Sequence, residues 1–108
     1  MRTDPIRGKT IVFHFEDGPM KGKAYSHTFK DDGTVTYGAV GGDQPSKPVH
    51  YEIMPINDDV VAVSYLSGEG YTLTAILDLE TRALNAFASN EKMLTPQHGS
   101  FEVIKKAA

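Results

Sequence analysis

The sequence predicts a single all-β domain over residues 1–108, an antiparallel eight-stranded up-and-down β-barrel. Apolar residues recur with a period of two in nearly every part of the chain, which is typical of half-buried strands. Turn residues recur about every 8–12 residues, so most connections are short. Eight strands joined in this way form a meander, and closure into a barrel removes both of its edges. The alternative is a two-sheet sandwich, which local connections disfavour because they leave few candidate Greek-key crossovers.

Two turns separate the first three predicted strands, which cover residues 9–16, 22–30 and 34–40. Asp17-Gly18-Pro19 ends the first strand. Asp31-Asp32-Gly33 lies between the second and third strands, and its glycine can take the positive φ of a tight hairpin. We therefore expect the second and third strands to pair antiparallel.

The second half of the chain begins with a predicted loop at residues 41–48, which contain two glycines and two prolines but no apolar side chain. Four strands are predicted after this loop, at residues 49–56, 60–67, 71–79 and 83–89. The last strand is predicted at residues 100–105. Residues 90–99 are expected to form a loop or one helical turn that closes an end of the barrel.

The strand alternation also predicts which side chains face the barrel interior. The predicted inward set is Ile11, Phe13, Phe15, Tyr25, His27, Phe29, Val35, Tyr37, Tyr51, Ile53, Val61, Val63, Tyr65, Tyr71, Leu73, Ala75, Leu77 and Leu79. The fourth and seventh strands are ambiguous. In these two strands the inward set could instead be Glu52 with His50 and Met54, or Asn85 with Phe87 and Ser89.

All five tyrosines fall on apolar faces, and His27 shares a face with one of them. A buried tyrosine hydroxyl needs a hydrogen-bond partner, since an unpaired one costs about 1–3 kcal/mol. Six such polar rings are more than a dry core of this size would readily satisfy. The sequence therefore predicts a cavity that holds a small apolar or aromatic molecule, with these candidate ligand-binding residues: Tyr25, His27, Tyr37, Tyr51, Tyr65 and Tyr71. The alternative is that the tyrosines lie at the barrel ends with their hydroxyls in water.

Composition excludes several classes of function. The chain has no cysteine, so disulfides, thiolate metal sites and cysteine nucleophiles are ruled out. Its 14 acidic and 11 basic residues give a net charge of −3 with scattered lysines and arginines, so nucleic acid is not an expected partner. We expect a cytoplasmic protein, because the chain has no cysteine, no apolar leader follows Met1 and no run approaches the roughly 20 apolar residues that span a bilayer. We expect it to be monomeric or homodimeric.

No motif in the chain indicates a metal or an organic cofactor. His14, His50 and His98 lack the spacing of metal ligands, so we expect no metal site and no cofactor. Gly68-Glu69-Gly70 is interpreted as a turn because no helical pattern follows it. The serine hydrolase motif Gly-x-Ser-x-Gly is absent.

Three segments together resemble the MoaF-like proteins of the calycin, or lipocalin-like, group. They are Gly8-Lys9-Thr10, the stretch from Tyr25 through Phe29-Lys30-Asp31-Asp32-Gly33-Thr34-Val35, and the stretch from Tyr71-Thr72-Leu73-Thr74 through Leu77-Asp78-Leu79. The resemblance implies an eight-stranded calycin barrel with an internal pocket, and it implies no catalytic residues. Two features depart from the wider group. The lipocalin Gly-x-Trp motif lacks its tryptophan here, and Arg2, Arg7 and Arg82 lie outside the strands, unlike the internal arginine of the barrel-shaped phenolic acid decarboxylases.

These observations lead to one principal expectation and two alternatives. The principal expectation is a small-molecule binding protein with a tyrosine-lined cavity. The first alternative is a small lyase or isomerase in the same cavity, with His27 or Glu52 as the acid or base. The second is an interaction module that binds a partner protein through residues 41–48 or 90–99.

Overall fold

Eight antiparallel strands close into one barrel in the computed structural model, which describes residues 5–42 and 45–104. The strands are β1 Thr10–Phe15, β2 Ala24–Phe29, β3 Thr34–Ala39, β4 Val49–Pro55, β5 Val60–Leu66, β6 Thr72–Asp78, β7 Ala83–Ser89 and β8 Leu94–Ile104. Each strand pairs with the next, and β8 pairs with β1 over Phe15↔Gly99 to Thr10↔Ile104. The predicted fold class is therefore confirmed, because alternating strands joined by short turns have closed upon themselves and left no sheet edge.

The prediction for residues 90–99 is wrong over most of its length. β8 begins at Leu94 and runs for 11 residues. Thr95 and Gln97 point inwards and continue the inward face that Phe101 belongs to, while Pro96 points outwards opposite Phe87. An outward proline can occupy a strand where its missing N–H is not needed, so Pro96 did not end this one. The structure also places a 3-10 turn, Gly18–Met20, between β1 and β2, which the sequence did not predict.

The two ambiguous strands each bury the more apolar of their two faces. In β4, Tyr51 is buried and Ile53 is half-buried, whereas Glu52 is exposed together with His50 and Met54. In β7, Leu84 and Ala86 are buried, while Asn85 and Phe87 are exposed. The remaining predicted inward residues are buried or half-buried.

Large side chains fill one end of the barrel, which we call the closed end. Ile6, Phe29, Leu77 and Leu84 are among the side chains with essentially no solvent exposure. The segment before β1 helps to cover this end, since Ile6 is fully buried and Gly8 donates a 2.7 Å backbone hydrogen bond to Phe29. The hydrophobic core therefore extends from the middle of the barrel to the end where β1 begins.

The inner face of β6 to β8 carries small side chains where the facing strands carry rings. Ala75 pairs with Ala86 across β6 and β7, Ala88 follows on the same face of β7, and Thr95 of β8 pairs with Ala88. Opposite them, β1, β2, β3 and β5 supply aromatic rings. This imbalance of side-chain volume leaves space inside the barrel.

Within the described ranges, no helix is long and apolar enough to cross a membrane.

Candidate ligand-binding site

A cavity of about 410 Å³ occupies the end of the barrel opposite the closed end, and we call this the open end. It lies where β1, β3, β5 and β7 end and where β2, β6 and β8 begin. The cavity is partly enclosed by the strands and communicates with solvent at its mouth. Its volume falls within the range of about 300–1,000 Å³ that small-molecule pockets occupy.

Aromatic and imidazole rings form most of one wall of this cavity. The ring residues that line it are Phe15, Tyr25, His27, Tyr37, Tyr65 and Tyr71. The structure thus brings together five of the six residues that the sequence predicted as ligand-binding. Tyr37 and Tyr65 stack with their ring centres 5.0 Å apart, so their rings form one continuous surface from the mouth inwards.

Tyr51 is the predicted site residue that does not line the cavity. β4 pairs with β3 only through Thr34↔His50 and Val35↔Val49, so Tyr51 lies beside the turn that precedes β3. Its backbone N–H donates to Gly33, and its ring packs edge-on against Phe29 at 5.0 Å. Strand alternation predicted its inward direction, but only the stagger between β3 and β4 places it toward the closed end.

The opposite wall is formed by smaller apolar and polar side chains. Ala88 and Leu73 lie side by side on the inner face of β7 and β6, and Thr95 follows them on β8. The other lining residues are Pro19, Met20, Ser89, Asn90, Met93 and Gln97. Sequence reasoning missed Thr95 and Gln97 because it did not extend a strand over them. Their alternation in step with Phe101 is the signal that could have found them.

His27 is a buried polar group on the cavity wall. The imidazole is 2% exposed and stacks on Phe13 with the ring centres 4.1 Å apart. Its Nε2 atom lies 3.0 Å from the Tyr65 hydroxyl, whereas Nδ1 has no hydrogen bond of acceptable geometry. Burial lowers the pKa of His27 from 6.5 to about 3, against a smaller opposing effect of the Tyr25 backbone. His27 is therefore a neutral ring near neutral pH.

The hydroxyls of Tyr37, Tyr65 and Tyr71 also stay neutral. Burial is the largest cause that raises the pKa of Tyr37, Tyr65 and Tyr71, and for Tyr71 the value reaches about 12. The Tyr37 hydroxyl donates to Glu69 Oε1 at 2.9 Å and accepts from the Gly68 N–H at 3.1 Å. The negative charge of Glu69 raises the pKa of the three phenols further. The hydroxyls can therefore act as neutral donors and acceptors toward a ligand.

A polar cluster holds the 3-10 turn against β8 at the cavity mouth. The Gln97 side-chain amide donates to the Asp17 backbone carbonyl at 2.6 Å. The Asp17 carboxylate accepts the His98 N–H at 2.7 Å and contacts His98 Nδ1 at 2.7 Å, and these hydrogen bonds lower the pKa of Asp17. The following residues Pro19 and Met20 are thereby held at the mouth.

Glu52 cannot act in this cavity, which corrects its candidacy as an acid or base. It lies on the outer face of β4, is exposed, and pairs with His50 at 2.6 Å. The described part of the chain contains no group of three or more His, Asp or Glu side chains that could hold a metal ion. His27 is the histidine that lines the cavity among the described residues.

Comparison with known proteins shows the fold of this chain and no family. No family model matches the sequence, and no curated protein does so either. A similar solved structure is described as a "putative beta-lactamase from Burkholderia vietnamiensis", with a TM-score of 0.79 and 18% sequence identity. The match covers 96% of this chain and 100% of that one. At this identity the likeness supports the barrel architecture alone.

Proposed function

We propose that the protein binds a small, largely apolar aromatic molecule in the open-end cavity. The observation that carries the proposal is the convergence of five predicted ring residues on one space of about 410 Å³. Small-molecule pockets are typically lined by apolar and aromatic side chains with a few placed polar groups. We further propose that the chain is a MoaF-like calycin barrel, because the sequence resemblance implies a barrel with an internal pocket of this kind.

The driving force for binding would be removal of apolar ligand surface from water. Each Å² buried contributes about 25 cal/mol, against which the loss of translational and rotational freedom must be set. The Tyr65 hydroxyl and the side chains of Thr95 and Gln97 line the cavity and would orient the ligand, with Tyr65 and Gln97 each already making one hydrogen bond within the protein. Apolar contact would therefore supply most of the affinity, and these polar groups would supply specificity.

A lyase or isomerase reaction in the same cavity is the second candidate function, and the His27–Tyr65 pair is the observation that favours it. An efficient acid or base has a pKa near the working pH. Burial moves the pKa of His27 down to about 3 and that of Tyr65 upwards, so both groups are far from that condition. Binding without turnover is therefore the better-supported function.

The activity named for the Burkholderia protein is not carried over to this chain. The two sequences share 18% identity, and a likeness at that level concerns the fold.

The proposal is tested by filling the cavity from its small-residue wall. Ala88 lines the cavity, whereas Ala83 lies on the same strand with its side chain exposed. We expect wild type and Ala83→Phe to bind 1-naphthylmethanol equally in titration calorimetry. Ala88→Phe should weaken binding by about tenfold or more, which is about 1.4 kcal/mol, because the new ring occupies the ligand's place. Circular dichroism would verify that both variants fold, and unchanged affinity in folded Ala88→Phe would contradict the proposal.

A further inference from the structure

One carboxylate is held at the mouth of the cavity by the turn between β5 and β6. The Ser67 hydroxyl accepts backbone hydrogen bonds from Glu69 and Tyr71, each at 3.1 Å, which fixes the turn. Glu69 Oε1 then accepts the hydroxyl proton of Tyr37 at 2.9 Å. The Glu69 carboxylate is thus hydrogen-bonded to Tyr37, which lines the cavity, although Glu69 itself is exposed.

In the part of the chain that the structure describes, no positively charged side chain inside the cavity balances this carboxylate. Among residues 5–42 and 45–104, no lysine or arginine belongs to the cavity lining. Lys21 and Lys92 are sequence neighbours of lining residues, but both are exposed and neither lines the cavity. His27, the one ring there that could carry a positive charge, is buried and neutral. The interior is therefore neutral, and the formal charge in contact with its wall is negative.

A chain of contacts through Tyr37 and Tyr65 leads from the Glu69 carboxylate to the cavity interior. Glu69 is hydrogen-bonded to the Tyr37 hydroxyl, and the Tyr37 ring stacks on the Tyr65 ring with the ring centres 5.0 Å apart. The Tyr65 hydroxyl in turn contacts His27. A ligand ring that lies beside Tyr65 would be inside the cavity. The Tyr37 ring and the Glu69 carboxylate would then lie between this ligand ring and the solvent. Aromatic faces attract cations, as carboxylates do.

We propose, resting on the binding function above, that the cavity selects arylalkyl amines, with the ligand ring inside and its ammonium group at the mouth beside Glu69 and Tyr37. The ammonium would donate a charge-assisted hydrogen bond to Glu69 and contact the phenol faces. A carboxylate at the same position would meet a like charge without a basic partner, and its desolvation would be uncompensated. The class of ligand is thus a neutral one- or two-ring system that carries a primary amine on a short linker.

The test uses three compounds of nearly equal size and different charge: 1-naphthylmethylamine, 1-naphthylmethanol and 1-naphthoate. Their affinities can be measured from naphthyl fluorescence, since the chain has no tryptophan. At low ionic strength we expect the amine to bind at least about tenfold more tightly than the carboxylate, with the alcohol between them. Salt at about 0.5 M should narrow this preference because it screens exposed charges.

The variant Glu69→Gln keeps the shape of the side chain and removes its charge. We expect the preference for amine over carboxylate to fall to about threefold or less. The matched control is Glu80→Gln, which makes the same change in net charge at an exposed position in the turn between β6 and β7, and it should keep the wild-type preference.

The possible outcomes separate this inference from the proposed function. Equal affinity of wild type for all three compounds would overturn the amine selectivity and leave the binding function standing. A preference that persists in Glu69→Gln would overturn the role of Glu69. If none of the three compounds binds, the proposed function fails and the selectivity fails with it.

Discussion

His27 shows how its surroundings change a side chain that ordinarily titrates near neutrality. It lies against Phe13, is hydrogen-bonded through Nε2 to Tyr65, and has a pKa near 3. The sequence predicted that it faces inwards, because it alternates with Ser26 and Thr28 on β2. It could not predict the partner, since Tyr65 is 38 residues away and reaches His27 only when the barrel closes.

The buried, neutral state of His27 makes stability depend on pH in a defined direction. Below its ordinary pKa of 6.5 the unfolded chain binds a proton on His27 that the folded chain does not bind until about pH 3. The neutral form of His27 therefore makes its full contribution to the unfolding free energy above about pH 6.5, and this contribution is lost progressively as the pH falls towards about 3. We expect wild type to lose roughly 2 kcal/mol more unfolding free energy than His27→Gln between about pH 7 and pH 5. Urea denaturation at several pH values measures this difference.

The matched control for the pH experiment is His50→Gln. His50 is exposed on β4, so its replacement should leave the wild-type loss of stability largely in place. If wild type and His27→Gln showed the same dependence over this range, His27 would not be neutral and buried as described.

At the scale of the element, β8 was the least predictable strand. The seventh strand was predicted with the bounds it has in the structure, residues 83–89, because turn residues flank it on both sides, although its inward face was ambiguous. Over residues 94–99, by contrast, the inward positions are Thr95, Gln97 and Gly99, which are polar or lack a side chain. An inward face that lines a cavity mouth does not need apolar residues, so hydrophobic periodicity failed there for a physical reason.

Gly99 explains how β8 lies so close to β1. It pairs with Phe15, and a Cβ atom at this position would overlap the backbone carbonyl of His14. We expect Gly99→Ala to lower the unfolding free energy by about 1–3 kcal/mol, because the backbone of β1 must shift to make room. Chemical denaturation would measure the loss.

Gly68→Ala is the control for the Gly99 prediction. A Cβ at Gly68 meets no atom within 4 Å, and the residue does not need a positive φ. This variant should therefore retain wild-type stability within about 0.5 kcal/mol. Equal stability of the two variants would show that β1 and β8 do not approach as described.

At the scale of the whole molecule, closure of the barrel turns separate strand patterns into one site. Alternation along each strand predicted the inward tyrosines, and closure brought four of them to the open end. The level of each residue along the barrel axis depends on strand register, which is why Tyr51 lies toward the closed end. The position of Glu69 beside Tyr37 likewise depends on two turns meeting in space, and no sequence spacing predicts it.

The cavity exists because the two halves of the barrel differ in side-chain volume. Rings on β1, β2, β3 and β5 line one side of the cavity, whereas Ala88 on β7 and Thr95 on β8 line the other. Barrels of eight strands have interiors just wide enough for packed side chains or one small ligand. Large residues fill the closed end of this one, and small residues leave the open end free for a ligand.

The most direct test of a ligand-binding open end is a nitrogen-15 NMR titration with 1-naphthylmethanol. We expect the backbone amide signals of residues around the cavity, such as Tyr25, Ala88 and Thr95, to shift in a saturable manner. Signals from Val35 and Leu84, which are buried away from the cavity lining, should stay in place. Shifts confined to the outer surface or to the closed end, or no shifts at millimolar ligand, would contradict the account.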